Sequence, residues 1–267
     1  MKGERRQIHF PGFVAAGAAI VVVSIAAYPQ PQMGLHRLLQ PGLWPSVAIA
    51  GLAVILMAWL ARLVFVLTRA WLAVRRLPRA ERHPAPLSAS IARTRAGRVR
   101  CIAGTVPVAF CAGVVRPEIV VSEGLAGCLS DPELDAVLLH ERHHMRRREP
   151  LVRAAAQAAA QVLFFFPLAR WWCRRRTEEA ELRADQAAVR EVGPGPVAAA
   201  LCSLESTVRS EAAFTGVADL RVAQLLGDPL PVQRPAAAVI AWSILGPPFA
   251  LLVVASAVVG AARILGL

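Results

Sequence analysis

Lysine occurs once in this 267-residue chain, at Lys2, and tyrosine once, at Tyr28. The positive charge is therefore almost wholly arginine, which reads first as a codon-composition effect and only second as phosphate or lipid binding. A single tyrosine near the N-terminus means that a site further along must find any oxyanion donor elsewhere. The cysteines are Cys101, Cys111, Cys128, Cys173 and Cys202, odd in number, widely separated and without a C-x-x-C pair. That pattern argues against a disulfide framework or a thiolate zinc cluster and for packing residues in a reducing compartment. No nucleic-acid recognition motif or interleaved aromatic accompanies the arginine runs, so no direct nucleic-acid binding is expected.

What is present is an uncommon pairing of apolarity and charge. The chain is 56% hydrophobic with a mean hydropathy of +0.49, yet carries a formal net charge of +12. The two properties are segregated along the sequence, which reads as membrane spans plus a basic aqueous portion. Residues Phe10 to Tyr28 are uncharged and follow a basic start, and no Ala-x-Ala-like exit leads into polar sequence. This predicts a retained span at about 10–28 rather than a cleaved signal. Val47 to Leu67 predicts a second span, with Arg62 near enough to one end to snorkel. Ala236 to Ala262, interrupted by Pro247-Pro248, predicts a third with a kink. Arg69, Arg75, Arg76, Arg79 and Arg82 follow the second span, while the Pro29 to Ser46 loop is poor in charge. The positive-inside rule then places the N-terminus and the central region in the cytoplasm. The expected organisation is a membrane region at 1–76, a cytoplasmic domain at 77–235 and a C-terminal span within 236–267, in a multi-pass plasma-membrane protein.

The central region opens with a proline-punctuated linker from Leu77-Pro78 to Pro86. Short β-prone pieces follow at Val99 to Ala103, Val106 to Cys111 and Ile119 to Ser122, separated by Gly104, Gly113 and Pro117. Ser130 and Glu133 have the spacing of a capping box, with Pro132 in the first turn, and start a helix that ends before Pro150. Leu151 to Trp172 is apolar, but Arg153, Gln157 and Gln161 make a polar stripe down one side. Arg174-Arg175-Arg176-Thr177 leads into a charged helix from Glu178 to Glu191. Val197 to Arg209 reads as a further helix, and the sequence from there to Gln233 reads as irregular.

The capped helix carries His140-Glu141-Arg142-His143-His144. Residues four apart share a helix face, so His140 and His144 can offer two imidazoles to one metal with Glu141 beside them as a general base. Glu181, on the charged helix, could complete a two-histidine, one-glutamate site with a position left for water, and Asp185, one turn on, could orient a ligand imidazole. Glu178 and Glu179 are the alternatives to Glu181, and an ion pair with an arginine is the alternative for Glu141. His143 points off the metal face, and His9, His36 and His83 lie far away. A shared site also constrains topology: a single crossing by Leu151 to Trp172 would put His140 and Glu181 on opposite sides of the bilayer. Two crossings would need roughly 40 apolar residues. The segment 151–172 is therefore expected to be membrane-associated but not spanning.

Four blocks carry a family resemblance: Ala109 to Gly113, Arg116 to Leu125, Leu129 to Glu141, and Glu181 to Asp185. In this order they resemble the membrane zinc metallopeptidases typified by the beta-lactam and methicillin sensor-transducers, whose relatives include the heat-shock and prenyl-protein membrane endopeptidases. The resemblance covers roughly Val99 to Leu226. It implies an α+β gluzincin-like peptidase domain, which together with the three transmembrane helices read above makes a mainly α membrane protein. Its small sheet would align an extended substrate along an edge strand containing Val108, Ala109 and Phe110. It further implies one Zn2+ per chain on His140, His144 and Glu181, Glu141 as base and Asp185 behind the ligands. Arg221, in Leu220-Arg221-Val222-Ala223-Gln224-Leu225-Leu226, matches an arginine motif of the relatives, with an oxyanion-binding or structural role. The expected partners are a protein or peptide substrate and the lipid bilayer. Regulatory cleavage of a cytoplasmic transcriptional repressor is one reading; membrane-protein quality control, or a non-catalytic signalling scaffold with a structural metal, is the other. Set against the sensor-transducers, the chain is expected to end after its last span without a penicillin-binding sensor and to have fewer spans ahead of the peptidase domain.

Overall fold

The structure, a computed structural model, describes residues 43–208, 215–229 and 233–249. The expected span at 10–28 and the end of the third beyond Phe249 lie outside the described residues. The described chain is mostly helical, with one three-stranded sheet.

Helix α1, Leu43–Arg75, runs past both ends of the expected 47–67 segment. Its stretch Gly51–Arg75 is the one helix among the described residues long and apolar enough to cross a membrane. Ile49, Leu52, Val54 and Met57 are each more than half exposed, as on a helix whose apolar residues run all the way round. The guanidinium of Arg75 closes the last turn over the Trp71 ring, 3.8 Å from its centroid.

The chain divides into two compact units. Among the described residues, one contains 59–162, 169–208, 215–229 and 233–234, the other 43–58, 163–168 and 235–249. In the larger unit, α2 (Ala85–Thr94) precedes strands β1 (Val99–Ile102), β2 (Ala109–Ala112) and β3 (Glu118–Ser122), followed by α3 (Glu123–Cys128) and α4 (Asp131–Arg146). The sheet order is β1-β3-β2, with β1 parallel and β2 antiparallel to β3. Ile119, Val120 and Val121 of the central strand are fully buried because both faces are covered. Alternation sends Ile119 and Val121 to one face, with Leu87, Leu125, Leu134 and Leu138. Val120 goes to the other, where Val74 and Leu77 pack. The segment around Arg79 covers the outer edge of β1: Ala80 N–H donates to Cys101 O (3.1 Å) and Ala103 N–H to Pro78 O (3.0 Å).

Strand β2 forms the other edge. It begins at Ala109 rather than at the expected Val106, whose side chain is exposed ahead of Pro107. Val108 therefore sits one residue before the strand, its N–H bound to Ser122 Oγ and its C=O to Ser122 N–H, both at 3.0 Å. With Val108 turned towards β3, antiparallel alternation turns the N–H and C=O groups of Ala109 and Cys111 to the outer edge.

Helix α4 starts as its capping box dictates, with Ser130 N–H donating to Glu133 at 2.7 Å. It ends at Arg146, and Arg148 takes a positive φ of 52° before α5 begins. Further boundaries differ from expectation. The apolar 151–172 segment is two pieces, α5 (Glu149–Val162) and the start of α6 (Pro167–Val192). Pro167 has no N–H to continue α5 but fits a first helical turn. The charged 178–191 helix is the second part of that same 26-residue α6, so the arginine run lies inside it. Helix α7, Pro194–Val208, starts on a proline ahead of the expected Val197. The segment expected to be irregular contains a helix, α8 (Thr215–Leu226), anchored by buried Leu220 and by Gln224 donating to Leu182 O at 3.0 Å. Helices α5 and α6 lie side by side, with Cys173 Sγ donating to Ala156 O at 3.3 Å.

In the smaller unit the shorter apolar helix α9, Ala237–Phe249, packs on the 163–168 turn. Ser243 Oγ accepts the Leu168 N–H at 2.9 Å, and Gly246 meets the Phe165 carbonyl so closely that a Cβ there would lie 2.0 Å from it.

Candidate metal centre

Helix α4 places His140 and His144 one turn apart, facing α6. Their Nε2 atoms are 3.0 Å apart, and Glu181 of α6 brings its two oxygens to 3.3 Å from His140 Nε2 and 3.7 Å from His144 Nε2. One ligand atom from each of the three residues lies within 4.8 Å of the others. Glu178 and Glu179 are turned to Arg174 and Arg175 instead, at 2.9 and 3.1 Å.

Behind each imidazole stands a carboxylate. His140 Nδ1 meets Asp185 Oδ1 and His144 Nδ1 meets Glu149 Oε2, both at 2.8 Å. Asp185 is fully buried, Glu149 nearly so. These contacts make each Nδ1 the donor and aim Nε2 inward, so that once Nε2 gives up its proton each ring has the tautomer that metal-ligating histidines adopt. Arg221 of α8 holds Asp185 through two parallel bonds, Nε to Oδ2 at 2.6 Å and a terminal nitrogen to Oδ1 at 2.7 Å, and its other terminal nitrogen is 3.9 Å from Glu181. Arg153 of α5 binds Glu181 and reaches Glu149 at 3.7 Å.

The charges follow from these contacts. Burial works against a charged imidazole at His140, but Asp185 and Glu181 prevail and push it up to about 9. His144 is raised in the same way, against burial, by Glu149 and Glu181. Burial opposes ionisation of Glu181, Asp185 and Glu149, yet all three are held below the usual carboxylate range. The cause is His140 and His144 at Glu181, His140 and Arg221 at Asp185, and His144 at Glu149. His143 is pushed down by burial and by the charge of His144, and its Nε2 is buried without a partner.

The three residues open on a cavity of about 340 Å³. One wall is Ala109, Phe110 and Cys111 of the sheet edge; another is apolar, from Val137, Val197, Leu201 and Leu204. Glu141 lines the same cavity, and its carboxylate makes no hydrogen bond or ion pair with any described residue. The sequence profile of the BlaR1 peptidase M56 family matches residues 40–195, more than half of the chain and all of the cluster except Arg221. This chain belongs to that family. No curated protein matches it. Membership makes the protein a peptidase, whose substrates are proteins or peptides.

Two residues of this cluster are not legible in the sequence. Glu149 follows His144 by five positions across a helix break, a spacing no helical period marks. Arg153 reads there as part of a polar stripe, whereas the fold turns it to Glu181.

Proposed function

We propose that this M56 peptidase is a multi-pass membrane zinc endopeptidase, cleaving a protein substrate at a cytoplasmic, membrane-proximal site in regulatory proteolysis. The observation that carries the reading is the convergence of His140 Nε2, His144 Nε2 and a Glu181 oxygen beside an unpaired Glu141. Two imidazole lone pairs only 3.0 Å apart repel unless a cation or a shared proton lies between them. Two nitrogens and one carboxylate oxygen, with a carboxylate behind each ring, are a catalytic zinc donor set. When bound, zinc supplies a Lewis acid for the scissile carbonyl and a nucleophile at neutral pH.

The protein does the rest. Glu141, free of partners, takes the proton of the attacking water and returns it to the leaving amine. The outward N–H and C=O groups of Ala109 and Cys111 pair with an extended substrate, fixing its register over α4. The apolar wall of Val197, Leu201 and Leu204 receives one substrate side chain. Arg221, with its guanidinium engaged by Asp185, acts by holding the carboxylate that orients His140. A purely structural metal site would have no use for an unpaired carboxylate at Glu141, which speaks against a non-catalytic scaffold.

The test is Glu141→Gln in the full chain. Cleavage of a protein substrate is expected to fall by about 100-fold or more while zinc stays bound; cleavage at the wild-type rate would overturn the mechanism.

A further inference from the structure

We propose that a second groove in the larger unit binds one anionic phospholipid, its phosphate on Arg147 and Arg176 and its acyl chain along the floor. The groove measures about 530 Å³, within the range of small-molecule sites. Its floor is apolar: Leu151, Ala155 and Ala159 of α5, with Trp59 of α1. Trp59 is tied in place by its indole N–H, which donates to Ala155 O at 3.2 Å. The floor is thus continuous with the helix that is long and apolar enough to cross a membrane.

The rim is cationic beyond what its carboxylates neutralise. Arg153 is engaged by Glu181 and Glu149, and Arg183 reaches Glu179 at 3.6 Å. Arg147 and Arg176 pair with no carboxylate among the described residues; Arg176 lies over the Trp172 ring at 5.1 Å. Arg183 also keeps its Nε–H buried without an acceptor. Guanidinium groups match phosphate oxygens in geometry and charge. A free anion would satisfy the rim and leave the apolar floor wet, and a neutral lipid would cover the floor and leave both arginines unmatched. An anionic phospholipid does both. This goes beyond the peptidase reading and requires no metal.

The experiment uses the full chain, delipidated in a neutral detergent, with native mass spectrometry and thermal unfolding as readouts. Dioleoyl phosphatidylglycerol, dioleoyl phosphatidylcholine and inorganic phosphate are added in turn. One phosphatidylglycerol is expected to bind about 25-fold tighter than phosphatidylcholine, from roughly 5-fold for each of the two arginines near an anionic headgroup. Arg147→Gln with Arg176→Gln is expected to bring that ratio close to one, whereas the paired lysine variant keeps a preference and shows that the fold survives. Ala159→Phe, which fills the floor, is expected to weaken both lipids. Equal binding of the two lipids by the wild type would overturn the proposal, as would an undiminished preference in the double glutamine variant. Phosphate stabilising as well as phosphatidylglycerol would reduce the groove to a simple anion site and overturn it equally.

Discussion

On its Nδ1 side His144 is held by one buried contact, to Glu149 Oε2 at 2.8 Å, and that contact can be removed in two steps. Glu149→Gln keeps an oxygen acceptor and removes the negative charge that makes the ring a better donor to a cation. Glu149→Ala removes both and leaves an N–H without an acceptor on a histidine that is only 5% exposed. Carboxylates behind ligand histidines are worth about 10- to 100-fold in metal affinity. That is about 1.4 to 2.8 kcal/mol. The glutamine variant belongs at the lower end, because its amide oxygen still fixes the ring. The alanine variant belongs at the upper end, since an orphaned buried donor costs about 1–3 kcal/mol. Competition titration against a chromophoric zinc chelator at neutral pH measures this without reference to cleavage. Glu141→Gln, which touches neither ring nitrogen, serves as the unchanged control. Arg153 loses one carboxylate in either variant but keeps Glu181, so Arg153→Gln separates its share. Zinc affinity of the alanine variant within about 3-fold of wild type would refute the role given to Glu149.

Three further outcomes follow from other parts of the molecule. Arg221→Gln leaves fully buried Asp185 without its bidentate partner and is expected to cost about 3 kcal/mol in chemical-denaturant unfolding; an unchanged midpoint would show the pair to be dispensable. Burial, reinforced by Glu141, pushes the Cys111 thiol up to about 12 from an ordinary value near 9, so it carries about 1,000-fold less thiolate. Alkylation at about pH 8 followed by peptide mapping is expected to label exposed Cys128 and Cys202 and spare half-buried Cys111, with equal labelling counting against the raised thiol. Gly124→Ala would place a Cβ 2.1 Å from the Thr105 carbonyl, backbone against backbone, and is expected to destabilise by about 3 kcal/mol; a neutral effect would mean that the 104–107 loop yields.

The legible part of the site is the part written at helical spacing. His140, Glu141 and His144 sit on one helix turn, and Glu181 and Asp185 repeat the device on a second, so both halves show in the sequence and the fold only has to bring them together. Glu149 and Arg153 escape because they act across a helix break and between helices, where no period connects them to their partners. The edges of the strands shift for a local reason: Pro107 and exposed Val106 belong to the turn, not to β2. Helix α8 escapes for a tertiary one, since buried Leu220, Arg221 on Asp185 and Gln224 on Leu182 O hold a segment whose own pattern is weak. The continuity of α6 is hidden by composition: an apolar start and a charged end look like two elements, and the real break falls at Pro167.

The free edge of β2 offers only four residues of ladder, Ala109–Ala112. A chain can add to it only when it is already extended, and a folded helix or a paired strand is not. A target held in a stable domain must first open locally, at a cost set by its own local unfolding free energy rather than by anything in the peptidase. On the proposed mechanism, selection therefore begins with how readily a segment of the target melts, and the side-chain wall of α7 sorts only those segments that have already come loose.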